Sequence, residues 1–384
     1  MYVAAADNTV SSLVLIAINQ MIFLMSKLTQ KLKFAVLITL LVSALTPVTR
    51  AQSSQPKAQI RAAIKHDSSR PLRDIKINPR TMRTAEDSLH DPEEAENQQA
   101  TAKSSIVATI TNDVVLQQSA VTSFQPTLGL NFDGIGTNSW AAPDADGAVG
   151  ATQFVQYVNA QFAVYSKSTG AKIFGPAGAV TLWSGFGGAC ESRNDGDGIV
   201  QYDKAANRWV FTHHAVPAGG PYVQCVAVST TSDATGSYNR YAFSLPNGFP
   251  DYPKMGVWPD AYYFSFNELN PTSFVFLNAL VCAVDRNAML SGAAATSVCF
   301  QVNTPFSSLL PADLDGSAPP PAGAPSYYLN LDTNSLDIWQ FQVDFQTPSN
   351  SSFTGPVNIP VASFTKACGG GVCIPQLGTA QLVD

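Results

Sequence analysis

From about residue 120 onward the apolar residues fall into short runs of strand length, among them FVQYVN (154–159), FAVYSK (162–167), VQCVAVST (223–230) and YNRYAFSL (238–245). Turn residues such as Ser168-Thr169-Gly170 separate them. No stretch keeps an apolar period of about 3.6 residues, so the pattern predicts strands and turns rather than amphipathic helices.

The runs are grouped. Between Cys190 and Phe211 an acidic turn (Asn194-Asp195-Gly196-Asp197-Gly198) precedes a strand over Ile199 to Tyr202. A polar turn, Asp203 to Asn207, then leads into a second strand opening at Arg208-Trp209. Three weaker versions surround it, opening at Asp144-Ala145-Asp146-Gly147, at Asp251-Tyr252-Pro253-Lys254 and at Asp313-Leu314-Asp315-Gly316. The acidic openings Asp144, Asp195, Asp251 and Asp313 lie 51, 56 and 62 residues apart. Periods near 50 residues with about four short strands per unit belong to β-propeller blades. A pair of β-sandwiches also reads as many short strands but has no reason to restart each unit on the same acidic turn. The expectation is an all-β chain: a β-propeller of about four blade units, its ring incomplete at the C-terminus.

The first hundred residues are different. Two apolar runs occupy Leu13 to Leu24 and Phe34 to Leu45. The second follows Lys27, Lys31 and Lys33 and exits through Thr49-Arg50-Ala51, the layout of a secretory signal peptide cleaved near Ala51. Both are shorter than the ~20 apolar residues of a spanning helix. Residues 1–51 therefore read as an upstream extension, with Met25 as the start, plus a signal peptide. Residues 52–104 lack aromatics and an apolar face and read as a disordered leader or pro-segment, with His66 and His90 as solvated bystanders. Residues 105–384 hold the β domain, with Ser105 to Val115 as an edge or closing strand. The location expected is secreted, extracellular or periplasmic.

Composition changes the picture in two places. All six cysteines lie beyond the cleavage site, and sequential pairing (190–225, 282–299, 368–373) is the simplest of the arrangements an exported chain allows. Zinc is the rival, but the only close pair is C-x4-C with no histidine beside it. From residue 120 onward 9 Lys and Arg face 18 Asp and Glu. That balance argues against nucleic acid and, after signal cleavage, against a membrane partner.

The stretches LWSGFGGACESRNDGDGIVQYD, RWVFTHHAV, DATGSYNRYAF, FPDYPKMGVWPDAYYFSFN, LLPADLDGSAPPPAGAP and NSSFTGPVNIPVASF carry a resemblance. They are similar to an uncharacterised family of large exported bacterial proteins, of acidobacterial type. The resemblance spans about residues 125–384. It implies a propeller similar in layout to sialidase and five-bladed glycosidase propellers, and brings no catalytic residues with it. Similar proteins continue past Asp384, which makes a C-terminally truncated chain the expectation.

If each acidic turn feeds the innermost strand of a blade, the aspartates meet at one funnel mouth. Clustered carboxylates separate into an acid and a base, the arrangement glycoside hydrolysis needs, which makes Asp195, Asp197, Asp251 and Asp144 the candidate catalytic set. Arg193 and Lys254 stand beside them as substrate-binding candidates, with Trp258 and Tyr263 as faces for a sugar ring. Asp146, Asp313 and Asp315 sit in D-x-D-G turns that suit calcium, and no cofactor is required. The plain alternative is that Asp and Gly recur because tight turns favour them.

Lesser candidates are a sialidase-like guanidinium clamp from Arg193, Arg208, Arg240 and Arg286, a histidine at His213 or His214, and a nucleophile at Ser184, which lacks the G-x-S-x-G elbow. The function expected is a monomer acting hydrolase-like on extracellular polysaccharide or glycan. The alternative is a non-catalytic propeller binding glycan, calcium or a protein at the cell surface.

Overall fold

The computed structural model describes residues 56–78, 129–136, 144–245, 248–303, 305–316 and 318–364, together with the backbone of 374–375 and 382–383. The fold is all-β and consists mainly of four antiparallel sheets. Two short strands come first, β1 (Gln59–Ala62) and β2 (Lys65–Ser68). The first sheet follows as β3 (Ala145–Val149), β4 (Gln153–Val158), β5 (Gln161–Ser166) and β6 (Lys172–Gly178). The second is β7 (Ile199–Asp203), β8 (Arg208–Ala215), β9 (Tyr222–Ser229) and β10 (Tyr238–Leu245). The third is β11 (Phe249–Val257), β12 (Ala261–Leu269), β13 (Phe276–Asp285) and β14 (Thr296–Asn303). The fourth is β15 (Leu310–Pro311), β16 (Ser326–Asp332), β17 (Ser335–Gln342) and β18 (Ser352–Pro360). A two-strand ladder joins β19 (Ile374–Pro375) to β20 (Leu382–Val383). Each four-strand sheet is a meander in chain order.

Three apolar cores separate successive sheets. Tyr157 and Phe162 of the first sheet meet Phe211 and Tyr238 of the second. Val226, Tyr241 and Phe243 of the second join Phe264, Leu280 and Val284 of the third. Tyr263 and Phe300 of the third meet Tyr328, Phe341 and Phe353 of the fourth. The second and third sheets are thus covered on both faces, which is why β9 and β12 are buried along most of their length and read as near-continuous apolar runs. Among the described residues the fourth is covered on one face only, and β17 alternates accordingly. Its other face leaves Leu331 and Val357 more than half exposed.

First strands adjoin one another in order, β3 beside β7, β7 beside β11, β11 beside β15. They run the same way: Asp146, early in β3, reaches Val200, early in β7, while Gly150 past the end of β3 abuts Trp209 and Tyr202 at the far end of the second sheet. The fold therefore has a head, where first strands begin, and a tail, where they finish.

The disordered leader is corrected over 56–78. β1 adds to the outer edge of β14 and β2 to that of β10, making both inner sheets five-stranded. Leu72 and Ile75 are buried in the first core, and His66 stacks on Tyr241 rather than standing in solvent. The segment QIRAAIKHDS needs no apolar face, because an edge strand is held by its backbone ladder. His90 and the strand expected over Ser105 to Val115 lie outside the described residues.

Cys190–Cys225 ties the short helix Ala189–Ser192 to β9, and Cys282–Cys299 bridges directly opposed residues of β13 and β14. Both pairings are those expected; Cys368 and Cys373 lie outside the described residues. Two disulfides point to an oxidising, extracellular environment. Among the described residues no helix is long and apolar enough to cross a membrane.

Candidate functional site

At the head, the turn after β4 and the loop before β7 lock together. Asn159, at φ 46°, ends that strand, and its carbonyl accepts from the Gly198 amide at 3.4 Å. Its Nδ2 donates to Asp144 Oδ2 at 3.2 Å. The two glycines of Asp195-Gly196-Asp197-Gly198 are demanded by this approach. A Cβ on Gly198 would lie 1.9 Å from the Tyr157 ring, and one on Gly196, at φ 94°, would lie 2.3 Å from Asn159 Oδ1.

The aspartates are held in distinct ways. Asp146 Oδ2 accepts from the Val200 amide at 2.7 Å. Burial pushes its carboxyl above the usual range, against the pull of the Val200 and Gly147 amides and the Lys254 charge. Asp195 is nearly buried; Oδ2 accepts from Arg193 Nε at 2.9 Å and from the Val216 amide at 2.8 Å, and Oδ1 lies 2.6 Å from an Arg193 Nη. Asp197, at φ 51°, keeps 18% of its side chain exposed, with Oδ2 3.7 Å from His214 Nε2. Tyr157 is buried between the first two sheets. Burial first, then the charges of Asp146 and Asp197, hold its phenol far above its ordinary value.

Asp251 and Lys254 stand opposite Asn267 and Ser265 on either side of a bulge in β11. The bulge turns out the exposed ring of Tyr252, with Lys254 Nζ 3.5 Å from its centroid. The hairpin after β12 lies at the same end, where exposed Phe274 packs edge-on against Phe249.

The head therefore gathers Asp144, Asp146, Asp195, Asp197, Asp251, Arg193 and Lys254. Four candidates fall at the tail instead. Asp313 follows β15, and its Oδ1 accepts from the amide of Val257, the last residue of β11, at 2.7 Å. Burial raises its carboxyl, the Val257 amide opposes this, and the Asp315 charge adds to it. The Asp315 carbonyl accepts from Lys204, just past the end of β7. Trp258 is buried in the third core, its indole N–H donating to Ala324 O at 3.1 Å. Tyr263 is fully buried, its hydroxyl 3.2 Å from both oxygens of Asp260. Neither ring offers a face to a ligand.

The calcium trio is divided between the two ends, since Asp146 is at the head and Asp313 and Asp315 are at the tail. Among the described residues no group of three or more His, Cys, Asp or Glu side chains is arranged to hold a metal ion. The guanidinium clamp is likewise dispersed. Arg240 binds Asp67, Arg286 binds Asp203, and Arg208 donates to Ala206 O and Asn207 O. His213 is buried against Trp183; burial first, then the neighbouring His214, lower its pKa to about 3 and keep it neutral.

Tyr157 and Asn159 are head residues that the repeat pattern did not single out. Their signal is FVQYVN itself, a strand ending on an asparagine that tolerates positive φ. Compared with known proteins, the chain matches no family model, no curated protein and no solved structure.

Proposed function

We propose that the chain is a secreted β-propeller, an exported bacterial protein of the uncharacterised type its sequence resembles, that binds an extracellular glycan at its head. The blade reading is supported by four meanders in chain order with adjoining first strands and a core between each successive pair. One observation carries the choice of binding over turnover. Asp146 and Asp195 both spend oxygens on backbone amides across the head, while the rim presents an exposed ring in Tyr252, a lysine over it and a half-exposed Arg193. An aromatic face with flanking hydrogen-bond donors suits a sugar ring carrying hydroxyls or a carboxylate.

Hydrolysis is the second reading, in which Asp146, whose carboxyl is raised by burial, and Asp197, 3.7 Å from His214 Nε2, would supply the two carboxyl groups.

A panel of immobilised polysaccharides, neutral and uronate-containing, separates the two. Retention that falls at least tenfold in Tyr252→Ala, with no new reducing ends released by wild type, supports binding. Release of reducing ends that is lost in Asp197→Asn supports hydrolysis. Retention unchanged by Tyr252→Ala and Lys254→Ala removes the head from the proposal.

A further inference from the structure

The outer edges of the second and third sheets hold residues 56–78 as a receptor holds an extended peptide. The backbone contact is nearly continuous. β1 pairs with β14 from Gln59↔Cys299 to Ala62↔Thr296, and β2 pairs with β10 from Lys65↔Ala242 to Ser68↔Asn239. Between and beyond the strands, Ala63 N donates to Ala295 O, Ile64 N to Ala242 O, Ser69 N to Tyr238 O, and Leu72 N to Gly236 O, each at 2.8 to 2.9 Å. Such a ladder gives affinity without regard to side chains.

Selectivity comes from three anchors. Arg240, 3% exposed, points its guanidinium at the segment and takes the Asp67 carboxylate bidentately at 2.8 and 2.7 Å. The same guanidinium donates to Leu182 O and Ser184 O at 3.0 Å, contacts that belong to the body of the fold and hold it in place independently of the segment. Five and eight residues beyond Asp67, Leu72 and Ile75 enter the first core. A buried guanidinium facing outward, with an apolar slot alongside, is a receptor for an extended strand with one carboxylate followed by two apolar side chains.

We propose that this edge is a strand-receiving groove, that its ligand is the 56–78 segment itself, and that the segment of a second copy can take the place of the first. Every described contact of the segment to the sheets is non-covalent. Fifty residues, 79–128, separate it from the next described stretch, enough contour (~3.3 Å per residue) to reach either its own groove or a neighbour's. This inference does not depend on what the head binds.

The test uses the full chain carrying a specific protease site inserted between residues 91 and 92. After cutting, the N-terminal fragment is expected to co-elute with the folded body. A fluorescent synthetic peptide of residues 56–78 is expected to replace it, with Asp67→Ala or paired Leu72→Ala and Ile75→Ala peptides binding at least tenfold more weakly. Release of the fragment, unfolding of the body on cutting, or Asp67→Ala binding as well as wild type would each overturn the proposal. So would failure of the labelled peptide to enter after a mild urea pulse that leaves the body folded. Two differently tagged copies, refolded together uncut, should co-purify through exchanged segments; strictly separate recovery would overturn the second-copy exchange.

Discussion

Asp203→Ala is the sharpest test of how the inner sheets are joined. Asp203 closes β7 at the tail and is fully buried. It accepts from Arg286 Nε and Nη2 at 2.6 and 2.9 Å, from the Tyr262 hydroxyl at 3.0 Å and from the Ala206 amide at 3.0 Å. Arg286 and Tyr262 belong to the third-sheet unit, so one carboxylate binds two layers. Removing it leaves a guanidinium 8% exposed without its carboxylate partner, beside the Pro259 carbonyl at 3.2 Å and the Tyr262 hydroxyl, with the Asp260 charge farther off. A buried charge stripped of its partner costs about 3–5 kcal/mol. Replacing both partners with apolar residues removes the stranded charge, so Asp203→Leu combined with Arg286→Met should recover more than 1 kcal/mol over the sum of the single changes. Urea unfolding followed by the fluorescence of buried Trp183 and Trp209 reads each variant. A loss below about 1 kcal/mol in Asp203→Ala, or strict additivity in the double variant, would refute the reasoning.

Gly198→Ala should cost about 2–3 kcal/mol by driving a methyl into the Tyr157 ring, and adding Tyr157→Leu should restore part of it in the same urea assay. Glu268 is 1% exposed with Oε2 2.9 Å from Gln301 Nε2, and burial holds its carboxyl above 4.5. Its contribution is fully present below pH 4.5 and is lost as pH rises through the elevated value; Glu268→Gln should therefore flatten the decline in Tm above pH 4.5, and an unchanged profile counts against it. Reducing Cys190–Cys225, which closes 35 residues, should cost ~4 kcal/mol, and Cys282–Cys299, closing 17, ~3 kcal/mol, read as urea midpoints of the single Cys→Ala pairs. Asp146→Ala and Asp313→Ala should each lose about 1.5–3 kcal/mol while the Asn variants, which keep an acceptor for Val200 and Val257, lose less; Asn equal to Ala in both would sink this account.

Strand runs were the most legible part of the chain. YNRYAFSL matches β10 residue for residue, and FVQYVN and VQCVAVST miss β4 and β9 by one at each end. The groups of four were legible too, because acidic turns restart near each sheet. Residues 56–78 were not, since an edge strand pinned by its backbone and one arginine leaves no apolar periodicity to read. The position of each acidic turn relative to its strand was also hidden. Asp144 and Asp195 precede β3 and β7, Asp251 lies inside β11, and Asp313 follows β15. That drift moves the fourth turn from head to tail, and Trp258 lies at the tail because it follows the end of β11.

Why the acidic turns recur at all follows from the geometry of the first strands. Each is paired with its own sheet along one edge, and its other edge faces the neighbouring first strand without a ladder. Amides on that free edge need acceptors. Asp146 of the first sheet meets the Val200 amide of the second, and Asp313 beside the fourth meets the Val257 amide of the third. A short carboxylate in or beside a first strand is the shortest reach from one free edge to the next. In the first and fourth units the acidic residue thus serves sheet-to-sheet joining before any ligand is considered, while Asp195 turns to Arg193 and Val216 of its own unit. The glycan binding proposed for the head would draw on Asp197 beside His214, the outward half of Arg193 and the Tyr252–Lys254 rim. A variant series confined to those residues should alter binding with little change in stability, whereas one confined to Asp146 and Asp313 should do the reverse.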